Sequence, residues 1–241
     1  MKNILILGIS MLCMTFTSAQ WGKKIKGNGN VITENRDTGS YDAIHVAGFF
    51  DVELIDGKEG KLTLKGEENL LKHIITEVKD GKLVIKVEKG LNLSPSSWKQ
   101  GVLITVPIDV INAVTLSGSG DIAGKKTIES ENFSADISGS GDINLTINAK
   151  SVTSIISGSG EISLRGATTD FDVKVSGSGD VKAYDLATKN VTANISGSAD
   201  IEVTATEMIK ARVSGSGDIS YRGNPKKIDT KSSGSGDISK V

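Results

Sequence analysis

Ser117-Gly118-Ser119-Gly120-Asp121 opens a series of seven pentapeptides of one pattern, the others starting at Ser138, Ser157, Ser176, Ser196, Ser214 and Ser233. Consecutive starts lie 21, 19, 19, 20, 18 and 19 residues apart, with variable sequence between them. A near-constant period of this length is the mark of a solenoid, in which every period adds one coil to a stack. Between pentapeptides, apolar and polar residues alternate with the period of a strand: Ile143, Leu145 and Ile147 in one coil, Phe171, Val173 and Val175 in another, Ile201 and Val203 in a third. These residues are expected to point inward, with Asn144, Thr146, Asp172 and Lys174 outward. A second short strand fits most periods, such as residues 152–156 and 191–195, reached through turns such as Asn148-Ala149-Lys150. Abundant β-branched residues and glycines oppose a helical reading. The fold class that follows is all-β: a parallel β-helix or β-solenoid with coils of about 19 residues, spanning residues 111–241.

Residues 20–110 lack the pentapeptide and carry hairpin signals instead. Segments 51–55 and 61–65 flank Asp56-Gly57-Lys58-Glu59-Gly60, and segments 77–79 and 83–87 flank Asp80-Gly81, both strong turn chemistries. Residues 68–75 read as the one short helix, laying Leu70, Leu71, Ile74 and Ile75 against the sheet. This portion is expected to be antiparallel and β-rich, to merge into the solenoid and to cover its first coil, because a bare end exposes unpaired strand groups.

Residues 1–19 form a separate unit, with Lys2, an apolar run from Ile4 to Phe16 and the small-residue site Thr17-Ser18-Ala19. This is the pattern of a secretory signal peptide, and the run is too short for a membrane span. Cys13 is the sole cysteine, so its loss with the leader removes disulfides, thiol nucleophiles and thiolate metal sites together. Ser10, Met11 and Leu12 before it match a lipoprotein site poorly. The formal net charge of −1 leaves no basic excess for a phosphate backbone, which argues against nucleic acid as a partner. No later apolar stretch is long enough to cross a bilayer as a helix. The expected location is outside the cytoplasm: the periplasm, the outer-membrane surface or the extracellular space.

Five stretches together resemble the head GIN domain family. They are Gly48-Phe49-Phe50-Asp51-Val52-Glu53-Leu54, Asp80-Gly81-Lys82-Leu83-Val84-Ile85, residues 102–107, the serial pentapeptides, and Tyr221-Arg222-Gly223-Asn224-Pro225. The likeness runs from Tyr41 to Asp237. That family is common in Bacteroidota and is labelled an auto-transporter adhesin, so the resemblance implies an exported, adhesive protein. The sequence has no segment expected of a translocation barrel.

Three readings of the pentapeptide stand beside one another. In the first it is a corner: glycines permit the sharp turn, while Ser and Asp side chains accept hydrogen bonds from turn amides that lack a sheet partner. In the second, coils stacked about 4.8 Å apart align Asp121, Asp142, Glu161, Asp180, Asp200, Asp218 and Asp237 in one column, where like charges repel by roughly 1 kcal/mol per pair and invite a cation. Calcium is the candidate, although one acid per coil supplies few ligands. In the third, the column binds glycan hydroxyls, with Trp98, Tyr184 or Tyr221 as the aromatic platform.

Enzyme chemistry finds little footing. His45 and His73 are the only histidines and sit in separate elements. Arg165, Arg212 and Arg222 accompany acids that recur once per coil, which is repeat grammar and not an active site. The leading reading is a non-enzymatic surface module, an adhesin for a polysaccharide or a surface protein. The alternatives are a β-helix carbohydrate-active enzyme and a purely structural envelope scaffold. The last pentapeptide stands so near Val241 that a homo-oligomer joined end to end, or an edge protected by Lys240, is also expected.

Overall fold

The computed structural model describes residues 22–97 and 101–241. The leader-like segment 1–19 and Trp98 lie outside the described residues. Among the described residues, no helix is long and apolar enough to cross a membrane.

The chain before the repeats forms β1 (Lys23–Lys26), β2 (Val31–Asp37), β3 (Ala43–Gly48), β4 (Asp51–Asp56), β5 (Lys61–Glu67), α1 (Glu68–Leu71), β6 (Ile74–Lys79), β7 (Lys82–Val87), β8 (Leu91–Ser94) and β9 (Leu103–Ile108). The repeats follow as β10 (Ala113–Gly118), β11 (Ile122–Gly139), β12 (Ile143–Gly158), β13 (Glu161–Gly177) and β14 (Asp180–Ala183). They continue as β15 (Leu186–Gly197), β16 (Ile201–Thr204), β17 (Met208–Gly215), β18 (Ile219–Arg222), β19 (Lys227–Gly234) and β20 (Ile238–Lys240).

From β10 onward every coil pairs in parallel with the next, and the register keeps each pentapeptide on its neighbour: Ser138 on Ser157, Ser157 on Ser176, Ser176 on Ser196. The result is a β-solenoid of about seven turns. Each coil has a first side after the acid of the pentapeptide, a middle side, and a third side that runs into the next pentapeptide.

Alternation along these sides buries columns of like residues. Ile143, Ile162, Val181, Ile201 and Ile219 stack on the first side, and Val152, Phe171, Val191 and Ile209 on the middle side. Each fully buried side chain of this size contributes roughly 1.5–3 kcal/mol. At the last coil the third-side column passes from Ala211 and Val213 to Thr230 and Ser232, and the whole of β19 is exposed. Polar residues at inward positions, with Lys227 and Lys231 beside them, make this strand a poor template for apolar pairing.

Parallel stacking reaches further toward the N terminus than the pentapeptides do, and in an order that differs from the sequence. β3 pairs in parallel with β10 on one side and with β7 on the other, while β4 lies between β11 and β9. The β3–β4 coil is therefore clasped between a coil made later, β7 and β9, and the first repeat coil. Antiparallel pairing joins β2 to β5, β5 to β9 and β6 to β7, and a parallel pair of β1 and β8 completes this end.

Two local expectations need correction. Segments 51–55 and 61–65 do not form a hairpin: β9 lies between them, parallel to β4 and antiparallel to β5. The five-residue turn spans this two-strand gap, with Gly57 and Gly60 at φ of 156° and 104°. The helix is also shorter than 68–75, ending at Leu71, and Ile74 already opens β6. The β-branched Ile74, Ile75, Thr76 and Val78 gain more as a strand against β7 than as helix. The Asp80-Gly81 hairpin forms as expected, both residues taking positive φ, 50° and 74°.

Candidate interaction face

The corner divides roles that the sequence reading shared between Ser and Asp. The first glycine of each pentapeptide takes a φ open to glycine alone, between 129° and 148° from Gly118 to Gly234. This opens the turn and brings backbones close. The second serine then donates its N–H to the glycine carbonyl of the preceding coil, as Ser140 does to Gly118, Ser159 to Gly139 and Ser178 to Gly158, each at 2.9 Å. The amide of the acid would be left without a strand partner, and the preceding acid's side chain takes it. Asp142 N–H donates to Asp121 Oδ1 at 3.1 Å, Glu161 to Asp142 at 3.0 Å, Asp200 to Asp180 at 2.9 Å, Asp218 to Asp200 at 3.1 Å and Asp237 to Asp218 at 2.7 Å.

The carboxylates form a relay of caps up the stack, each bonded to the next coil's backbone. One rung differs. The longer Glu161 takes the Ser163 hydroxyl at 3.0 Å and the Lys182 ammonium at 2.5 Å, and Asp180 N–H turns to the Gly160 carbonyl at 3.1 Å. The serine hydroxyls of the seven corners meet no protein partner among the described residues; they face water as two columns.

The first rung was missed in the sequence. Asp51 accepts a backbone hydrogen bond from Asp121, and Gly48 stands in register with Gly118. Burial first, and the neighbouring Asp121 charge as a lesser cause, raise the Asp51 carboxyl above its ordinary value despite that bond. The signal was legible as spacing: Gly48 and Asp51 are separated as Gly118 and Asp121 are, with Phe49 and Phe50 in place of Ser and Gly.

Among the described residues, no three His, Cys, Asp or Glu side chains come together to hold a metal ion. The column is single file, with one oxygen of Asp121, Asp142, Asp180, Asp200 and Asp218 committed to an amide and Glu161 committed to Ser163 and Lys182, so the residues do not supply the multiple oxygens that calcium takes. A carboxylate is not required for the cap, because an amide oxygen also accepts. Asp142→Asn is expected to leave thermal stability unchanged, whereas Asp142→Ala loses about 1 kcal/mol by orphaning the Glu161 N–H. Thermal denaturation of the two variants checks this.

The acid column borders the exposed first-side residues, which alternate with the core. Two further columns run beside it: Asn144, Ser163, Lys182, Glu202 and Ser220; then Thr146 and Arg165, followed by Tyr184, Thr204 and Arg222. Tyr184 is thus on the same face as the acids. The Arg222 guanidinium lies over its ring, 4.0 Å from the centroid. Around them is a surface hollow of about 230 Å³ lined by Arg165, Lys182, Tyr184, Asp185, Glu202 and Arg222. Tyr221, by contrast, points into the coil and is 7% exposed, since it alternates with outward Ser220 and Arg222. It follows Ala183 and Val203 in the inward column and is not a surface platform.

The chain is a repeat-built β-solenoid with one regular polar face and a filled interior. It belongs to the family described as “Putative auto-transporter adhesin, head GIN domain”, whose model matches residues 40–225. Three solved structures share the fold. A “putative adhesin” from Bacteroides fragilis is 24% identical with a TM-score of 0.84, covering 90% of this chain and 100% of that one. A “putative lipid binding protein” from Parabacteroides distasonis is 28% identical with a TM-score of 0.73, covering 91% and 100%. A “putative adhesin” from the same species is 22% identical with a TM-score of 0.71, again covering 91% and 100%. A search of the curated proteins found no match.

Proposed function

We propose that this protein is an exported surface module that holds a glycan or protein partner on its ridge of corners and the adjoining first side, without catalysis. The observation that carries this reading is the face itself. Two columns of unpartnered serine hydroxyls run beside an acid column fixed by backbone hydrogen bonds, and the polar first side adjoins them. Such a surface presents the same groups at every coil, held by a rigid stack, so a repetitive partner meets many weak contacts at once. The family's adhesive label and the leader-like residues 1–19 support placement at the cell surface. Acids that hold backbone amides in series are poorly suited to the paired acid and base of a glycosidase, which supports a binding role.

The test combines location with binding. Antibody labelling of intact cells, and binding of the purified protein to bacterial and host polysaccharides, surface proteins and lipid vesicles, are measured in calcium and then in EDTA. Surface labelling with saturable binding to a glycan or protein supports the reading. Saturable binding of vesicles alone, or of nothing, sinks it in favour of a lipid carrier or a scaffold. Turnover of a polysaccharide replaces it with an enzyme.

A further inference from the structure

We infer that the hollow around Tyr184 is a discrete site for one uronic acid residue of an acidic glycan. The inference rests on the surface-binding reading above and names its ligand. Four successive coils contribute side chains to the hollow, and most of its charges are already committed. Lys182 is held by Glu161 at 2.5 Å. Arg165 donates to Asn144 Oδ1 at 3.1 Å and lies 3.8 Å from Asp185.

Two groups make no side-chain hydrogen bond or close ion pair among the described residues: the Arg222 guanidinium, which stacks on Tyr184, and the Glu202 carboxylate. The Tyr184 ring supports Arg222, whose Cζ lies 4.0 Å from the ring centroid, and the guanidinium N–H groups have no hydrogen-bond acceptor among the described residues. The planar guanidinium fork is the complement of a carboxylate, which it binds through two parallel hydrogen bonds. Glu202, in register with Lys182 on the first side, accepts the O–H groups that a sugar carries next to its carboxylate. The half-buried Tyr184, which lines the hollow, offers apolar contact to the sugar's C–H groups.

The same Glu202, with Asp185, sets the selectivity. A densely sulfated or phosphorylated chain brings several negative charges against two fixed carboxylates, while a sugar with one carboxylate and several hydroxyls satisfies both signs. A neutral sugar leaves the Arg222 fork empty.

Calorimetry of the purified protein with galacturonan, mannuronan and glucuronan oligosaccharides decides the matter. Controls are the methyl esters of the same oligosaccharides and dextran sulfate. Saturable binding to at least one uronate is expected, weakened at least tenfold by esterification, by Arg222→Gln and by Tyr184→Ala. Lys89→Gln, in the exposed turn before β8 and away from the ridge, should bind as the wild type does, and both site variants should melt at the wild-type temperature because their side chains lie outside the core. Binding that ignores esterification or Arg222→Gln overturns the site, as do preference for dextran sulfate and failure of all three uronates. If those failures occur while the protein still binds a cell-surface glycan or protein, only the uronate site falls; if nothing binds, the adhesive reading falls with it.

Discussion

Gly158→Ala is expected to cost about 4 kcal/mol, enough to unfold the stack or remove its cooperative melting. A Cβ at this position would stand 2.2 Å from the Gly139 carbonyl oxygen, where nothing but backbone is available to move, and the residue's φ of 141° is one that side chains avoid. Strain at such a φ contributes roughly 1–3 kcal/mol, and overpacking against fixed atoms a similar amount. The loss is shared by both neighbours, since Gly177 rests on Gly158 as Gly158 rests on Gly139. Gly29→Ala is the control: φ is 78° there, but nothing lies within 4 Å of the added carbon, so the cost should fall to about 1 kcal/mol. The chain itself contains a milder test at the second glycine, where Ala199 occupies the fifth corner and is buried. That position is not in the left-handed region, and one methyl there is absorbed. Chemical denaturation of Gly158→Ala beside Gly160→Ala should rank the first as the worse; equal losses would mean that contact, and not φ, governs the corner.

Glu67→Ala ranks second, with an expected loss of about 3 kcal/mol. Glu67 is fully buried, and its two carboxylate oxygens accept the backbone N–H of Gly29 at 2.7 Å and of Ser96 at 2.9 Å. Truncation removes two hydrogen bonds to a charged acceptor, worth roughly 1.5–3 kcal/mol each. It also loosens the strand end where β1 and β8 meet, because Gly27 packs directly on the carboxylate. Glu67→Gln keeps the shape but presents an NH2 group to one of the two amides, so about half the loss is expected.

The carboxyl titrates below the usual range. Burial alone would raise it, but hydrogen bonds from Ser96 and Gly29, with the Lys26 charge, outweigh that effect. A depressed folded value means the contribution is present above the unfolded pKa, near 4.3, and is lost as pH falls through the folded value. The gap between wild type and Glu67→Gln should therefore be widest near neutrality and close on acidification. A gap that stays constant down to pH 2 would show that the side chain acts through shape alone.

The repeat half was legible because each coil meets only copies of itself. The period of Ser117 to Ser233 and the alternation through Ile143, Phe171 and Ile201 specify both the stack and its inward faces, without knowledge of anything distant. The first half was less so. Nothing local in residues 51–65 announces that β9, from residues 103–108, will enter between the two segments. Turn chemistry predicted the Asp80-Gly81 hairpin because that pairing is set by the turn itself. At the candidate face, the acid column and Tyr184 were readable as positions, but the division of labour between Asp caps and free serines was not. It depends on which amides the coil geometry leaves unpaired. Tyr221 shows the same limit: one residue of register separates a surface platform from a core side chain.

The clasped coil gives the molecule a direction in which it can lengthen. At the repeat end, duplicating one period of DNA adds a layer that meets the same register above and below, extending the rod by about 4.8 Å without disturbing what lies beneath. At the other end β3 and β4 are already covered by a coil that follows them in sequence, so tandem copying there would break a crossed connection and not extend a stack. Descendants of such a gene can differ in reach while keeping one foundation, like masts of different height stepped in the same keel.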